Sequence, residues 1–228
     1  YKTEERKMAK TKMTRTLLII NLAVFLIMTA SGGTESIENL VRFNAMVKPL
    51  VYQGQWWRVF CAQFIHIGFF HILMNMYFLN TIGPIFERLY GPRNFLIIYL
   101  VSGVVGNLFT YAFGSTSSVS AGASTSLYGL LGLAIGIMIT YKNDEILRSF
   151  GASFVSVVVI NLIYSFVMPR VGVLGHLGGF IGGLVLAGIF PIINRYLPQT
   201  RVSLSIVLLV VLVVAFIYIG NRSMRMGI

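Results

Sequence analysis

Residues 173–186 read Val173-Leu-Gly-His176-Leu-Gly-Gly179-Phe-Ile-Gly182-Gly183-Leu-Val-Leu186. Apart from one histidine the run is wholly apolar, yet it is dense in glycine. Gly178 pairs with Gly182, and Gly179 with Gly183, at the four-residue spacing that strips one helix face of side chains. In water a glycine inside a helix costs about 1 kcal/mol relative to alanine. In lipid, where tails are as apolar as leucine, small residues at this spacing let two helix backbones approach. The stretch therefore predicts a membrane helix packed face to face against another.

The rest of the chain agrees with that solvent. It has 228 residues, of which 56% are hydrophobic and 11% charged, and its mean hydropathy is +0.80. A soluble domain carries about 25% charge, so too few polar groups exist to cover a globule, and disorder is excluded by the same count. The expected fold class is all-α, a polytopic transmembrane bundle. At about 17–25 apolar residues per span, seven spans are expected: Thr16 to Ser31, Phe69 to Phe86, Phe95 to Phe113, Ser124 to Tyr141, Phe150 to Met168, Val173 to Ile193, and Val202 to Gly220. The chain begins at Tyr1 rather than Met, and the first run, with no small-residue cleavage site after it, reads as a retained span.

The net charge of +11, from 18 Lys+Arg against 7 Asp+Glu, would suggest nucleic acid in a soluble protein. Here the charges lie between apolar runs and read as topology; no nucleic-acid partner is expected, and lipids are. Lys2, Arg6, Lys7, Lys10, Lys12 and Arg15 precede the first span and place the N-terminus in the cytoplasm. Arg88, Arg93, Lys142, Arg148, Arg195 and Arg201 then fall on the same side. Residues 1–15 form a basic tail, 16–193 a six-helix core, and 194–228 a connection, a seventh span and a short external end. The first connection, 32–68, is long and holds both tryptophans, Trp56 and Trp57; part of it is expected to lie in the outer leaflet beside the bundle.

Polar groups inside a membrane suggest function. With this topology His71 and Asn75 of the second span, Ser124 of the fourth and His176 of the sixth all start from the outer side, at similar depth. The fourth span is also glycine-rich, at Gly129, Gly132 and Gly136. Close packing of these helices would bring the Ser124 hydroxyl to the His176 imidazole, as serine activation requires. None of the seven acids (Glu4, Glu5, Glu35, Glu38, Glu87, Asp144, Glu145) lies in the outer half of a span, so a dyad is expected rather than a triad. One cysteine, three histidines and no HExxH argue against a metal, and no cofactor is expected.

Taken together, these motifs resemble the rhomboid family of intramembrane serine proteases, in its six-plus-one form. The matching elements are Trp57-Arg58; His66 with His71-Ile-Leu-Met-Asn75; Glu87-Arg88 with Gly91; Gly122-Ala-Ser124 followed by Leu127-Tyr-Gly-Leu-Leu-Gly132; and Gly175-His176-Leu-Gly-Gly179, continuing to Gly183. The resemblance implies that Ser124 is the nucleophile and His176 the general base and acid. It implies an oxyanion hole of His71, Asn75 and the Ser124 N–H, and Tyr128 stacked on His176 in place of a carboxylate. Trp57, Arg58, His66, Glu87, Arg88, Gly179 and Gly183 would be structural. The implied substrates are single-span or polytopic membrane proteins, cut through an acyl-enzyme, with the site open to the outside of a bacterial cell membrane. The alternative is a rhomboid-like binder of membrane helices that does not cut. The family's usual glycine after the serine is Thr125 here, a β-branched residue expected either to crowd substrate or to alter the backbone beside the oxyanion hole. The fifth span, without glycine beyond Gly151, is expected to form a movable gate with the loop Pro169–Gly172.

Overall fold

The computed structural model describes residues 11–167 and 172–227. Lys2, Arg6, Lys7 and Lys10 of the basic tail, and all of the expected gate loop except Gly172, lie outside the described residues.

The chain is helical almost throughout. Helix α1 runs Lys12–Ala30. The first connection carries its own structure: α2 at Ile37–Arg42, a short strand β1 at Met46–Val47, α3 at Lys48–Tyr52, α4 at Trp57–Cys61 and a 3₁₀ turn at Ala62–Phe64. Helix α5, Phe69–Phe113, is two arms meeting at Gly91, whose φ of 78° breaks the helix. Pro92 starts the second arm, where its missing N–H costs nothing. Strand β2 is Val119–Ser120, and α6 is Ser124–Thr140. Helices α7 (Glu145–Ala152) and α8 (Val155–Val167) continue one another across a turn. Helix α9 is Val173–Leu186 and α10 is Gln199–Met226.

Lys12–Ala30, Phe69–Phe113, Glu145–Val167 and Gln199–Met226 are long and apolar enough to cross a bilayer; Ser124–Thr140 and Val173–Leu186 are apolar but shorter. With the two arms of α5 counted separately, this gives the seven expected segments. The sixth ends at Leu186 rather than Ile193 because the chain turns at 187–189 and runs irregularly past Pro191. The seventh extends from Gln199 to Met226, beyond the expected Val202–Gly220.

Helix α6 is central. Nearly every residue from Thr125 to Ile137 is buried, against α5, α7 and α9. The α6–α9 contact is backbone on backbone. A Cβ on Gly183 would collide with the Gly129 carbonyl, one on Gly132 with the Phe180 carbonyl, and one on Gly179 with the Thr125 carbonyl. At 1.5 Å per residue the 17 residues of α6 span about 26 Å, short of a hydrocarbon core of about 30 Å. Of the irregular chain that leads into it, Gly122 and Ala123, next to Ser124, are buried inside protein. Helix α10 packs outside, on the second arm of α5: Gly220 lies against the Tyr111 ring, whose hydroxyl donates to Asn221 Oδ1 at 2.6 Å.

One end of the bundle is fixed by Glu87. Its buried carboxylate accepts from the N–H groups of Met13 (2.9 Å) and Thr14 (2.8 Å) and from the Thr14 hydroxyl (2.7 Å). These are the free donors of the first turn of α1, where negative charge is favoured. Arg88, by contrast, is exposed. Glu87→Ala leaves three donors without acceptors and is expected to cost about 3 kcal/mol, while Arg88→Ala changes stability by less than about 0.5 kcal/mol. Thermal melting of both variants in detergent checks this; equal melting points would refute the anchoring role. At the same end the Ile193 N–H donates to the Leu89 carbonyl (2.9 Å), and Arg195 pairs with Asp144 (2.9 Å). Asp144 also caps α7 through the Leu147 N–H (3.1 Å), so it is an anchored residue rather than a free loop charge.

Candidate active site

At the opposite end from Glu87, the starts of α5, α6 and α9 converge. Ser124 is the first residue of α6, so its N–H has no partner within the helix and lies at the positive end of the helix dipole. His176 lies in the first turn of α9 and is 7% exposed. The glycine contacts described above set the spacing between the two helices. Across that spacing Ser124 Oγ lies 2.9 Å from His176 Nε2.

The Tyr128 ring stacks on the imidazole, with centroids 3.9 Å apart and planes 7° from parallel. Tyr128 follows Ser124 by four residues on one helix face, so α6 supplies both the hydroxyl and the plate that holds its partner. The other ring nitrogen, His176 Nδ1, meets Ser165 Oγ of α8 at 2.8 Å. Ser165 Oγ is 2.6 Å from the Tyr128 hydroxyl and donates to the Asn161 carbonyl at 2.8 Å. Tyr128 reaches that same carbonyl at 2.8 Å.

His71 Nδ1 accepts the Ile67 N–H at 3.3 Å. With Nδ1 accepting, the proton of the neutral ring sits on Nε2. The Nε2 edge lies against Gly122: a Cβ there would be 2.8 Å from the His71 ring and 3.5 Å from Ser124 Oγ. Gly122 has φ +134°, so both its backbone and the imbedded ring require glycine. Asn75 is buried, and one N–H of its amide is taken by the His71 carbonyl (2.8 Å), leaving the other. Among the described residues no three or more His, Cys, Asp or Glu side chains converge as metal ligands would.

A family model for the Rhomboid domain matches residues 53–193. The chain belongs to the rhomboid family. It is similar to the Rhomboid protease GluP of Bacillus subtilis, 34% identical over 224 residues, which is 97% of this chain and 43% of that protein. It is also similar to the Rhomboid-like protease 1 of Toxoplasma gondii (33% over 177 residues, 73% of this chain and 60% of the other). The RHOMBOID-like protein 5 of Arabidopsis thaliana is 32% identical over 166 residues, covering 71% and 52%. The chain thus spans about half the length of these relatives. The motif residues singled out from the sequence, Trp57 to Gly183, fall within the matched segment. With its apolar helices, this rhomboid is a multi-pass membrane protein.

The long first connection of this rhomboid is a scaffold for the serine. Arg58 is buried and its guanidinium donates to the carbonyls of Val41 (2.8 Å) and Ala45 (3.0 Å) and to Gln55 (2.7 Å). Trp57 is half exposed, its indole N–H donating to Asn44 (3.0 Å). The folded connection then grips the segment before Ser124. Strand β1 pairs with β2, the Gly122 N–H donates to the Ala62 carbonyl (2.9 Å), and the Ala123 N–H donates to His66 Nε2 (3.3 Å). Lys48 Nζ, buried, reaches the Gly114 carbonyl (2.9 Å), and Gln63 accepts the Ser126 hydroxyl (2.9 Å).

Thr125 does not crowd the Ser124 hydroxyl. Its side chain points between α5 and α9, where a Cβ on Gly106 or Gly175 would come within 2.9 Å of it. Two glycines of this rhomboid thus leave room for the added methyl, and the Thr125 hydroxyl finds no hydrogen-bond partner among the described residues. Ser165 and Gln63 were not singled out from the sequence. The signal for Ser165 is the pair Asn161 and Ser165, one turn apart on one face of a mostly apolar helix.

Proposed function

We propose that the chain is an intramembrane serine endopeptidase that hydrolyses peptide bonds in or near transmembrane segments of membrane proteins. The observation that carries this is the 2.9 Å contact between Ser124 Oγ and His176 Nε2, beside free N–H groups at the start of α6. His176 Nε2 takes the Ser124 proton while Oγ bonds to the substrate carbonyl carbon. The π pair moves to the carbonyl oxygen, which is met by the Ser124 N–H, His71 Nε2–H and the second Asn75 N–H. One such donor is typically worth about 3–4 kcal/mol. The intermediate collapses with breakage of the C–N bond, the leaving nitrogen takes the proton from His176, and the acyl group stays on Ser124. Water, deprotonated by His176, then releases the acid and restores the hydroxyl.

A membrane helix hides its carbonyls in hydrogen bonds, so the substrate must unwind at the site. Helix α8, with Ile160, Ile163 and Phe166 exposed, is the proposed entry side; a crosslink from α8 to the first arm of α5 blocks membrane substrates if it is the gate. The basic residues beside Glu87 support a cytoplasmic location for that end, with the Ser124 end opening to the outside of the cell membrane. Residues 16–193 form the proposed catalytic core, with α10 appended.

The test uses the full chain in liposomes with a single-span reporter and a fluorophosphonate probe. Cleavage of the reporter is expected, with probe adduct on Ser124. A folded chain that neither cuts the reporter nor takes up the probe would reject the protease.

A further inference from the structure

A serine base is useful only in one tautomer. His176 must present a lone pair at Nε2, so its proton must sit on Nδ1. In serine proteases with a triad a carboxylate at Nδ1 imposes this. Among the described residues no carboxylate is hydrogen-bonded to the ring: Glu87 anchors α1 and Asp144 pairs with Arg195. Nδ1 is nevertheless occupied, by Ser165 Oγ at 2.8 Å, and Ser165 is 1% exposed.

The partners of Ser165 fix which way its proton points. A hydroxyl has one proton and two lone pairs. A serine inside a helix gives its proton to the carbonyl four residues back, and the Asn161 carbonyl lies at 2.8 Å. The Tyr128 hydroxyl donates to the same carbonyl at 2.8 Å and lies 2.6 Å from Ser165 Oγ. With its own proton given to that carbonyl, Ser165 Oγ turns a lone pair to Nδ1, and only an N–H makes a bond there.

We propose that Ser165 is the positioning residue of the dyad: its hydroxyl, oriented by the Asn161 carbonyl, holds His176 in the Nδ1–H tautomer and so turns the Nε2 lone pair to Ser124. The role rests on the protease assignment for its purpose, though not for its detection. Three consequences follow from the geometry. The nucleophile's helix (α6, through Tyr128) and α8 (through Ser165) both act on one ring. The imidazolium formed during attack keeps its Nδ1 bond and gains the Ser165 dipole, with no buried negative charge required. Loss of the hydroxyl releases the tautomer without removing any group that touches substrate.

The experiment is nitrogen-15 NMR of histidine-labelled full chain in detergent, with the His176 signal assigned by its loss in His176→Gln, alongside steady-state cleavage of a single-span reporter. The parent is expected to show pyrrole-type Nδ1 and pyridine-type Nε2. In Ser165→Ala the ring shifts toward the Nε2–H form, and kcat falls roughly 10- to 100-fold with KM within about twofold. Ser165→Thr, which keeps the hydroxyl, restores the tautomer and most of kcat. An Nε2–H ring in the parent overturns the proposal, whether or not any variant folds. So does a Ser165→Ala protein with unchanged tautomer and kcat. Absence of turnover in the parent rejects the protease alone, because the tautomer is read without it.

Discussion

Ser124→Ala is expected to reduce cleavage of a single-span reporter by about 10⁴-fold or more, the scale on which loss of a nucleophile acts in serine hydrolases. The remaining groups do not substitute for it. Thr125 is turned between α5 and α9, Ser126 donates to Gln63, and Ser165 sits on the far side of the imidazole. The fold should be untouched. Ser124 is half-buried, its hydroxyl makes the one bond to His176, and a neutral hydrogen bond contributes about 1 kcal/mol. Activity and stability therefore separate: kinetics in liposomes should collapse while helix content is unchanged and melting in detergent shifts by no more than about 2–4 °C. Residual cleavage above a few per cent in a verified Ser124→Ala preparation sinks the nucleophile assignment.

The second large effect is structural and reaches the same chemistry by another route. Gly183→Ala adds one methyl, yet that carbon would overlap the Gly129 carbonyl oxygen and come within 2.9 Å of the Gly129 Cα. Both obstacles are backbone of a buried helix, so no side chain can swing aside. Overpacking usually costs about 1–3 kcal/mol; with backbone on both sides, about 3 kcal/mol or more is expected, seen as a fall of several degrees or more in melting temperature. Activity should fall further than stability, since α6 and α9 carry Ser124 and His176 separately, and a 1 Å displacement can cost about 10²-fold. Gly172→Ala is the control for melting: among the described residues nothing lies within 4 Å of its added Cβ. Equal melting points for the two variants, and turnover of Gly183→Ala equal to the parent, would contradict helix contact as the device that forms the dyad.

The glycines explain why so much was legible before any coordinates. A bilayer removes the hydrophobic drive between helices, so a close helix pair must be written locally, as small residues four apart. Gly178, Gly179, Gly182 and Gly183 state it, and the same reasoning brought Ser124 to His176. Tyr128 followed from helical spacing combined with the family resemblance. Spacing locates Thr125 on its helix but does not tell which of two neighbouring surfaces its side chain enters; Gly106 and Gly175 leave the room it takes. The Asp144–Arg195 pair was illegible for a related reason: its partners are 51 residues apart.

The sequence by itself determined the solvent, the seven apolar segments and the family, and it singled out Ser124 and His176 as the proposed dyad. These depend on composition, on local periodicity and on motifs that survive as short strings. The tertiary structure alone decided what surrounds the dyad. The first connection folds into a scaffold whose Ala62 and His66 hold the chain at Gly122 and Ala123. Glu87 is spent on the start of α1, and a serine on α8 occupies the nitrogen that a carboxylate would otherwise take. Each of these is a hydrogen bond between residues distant in the chain or set by the direction of one side chain, and neither hydropathy nor helical period encodes such bonds.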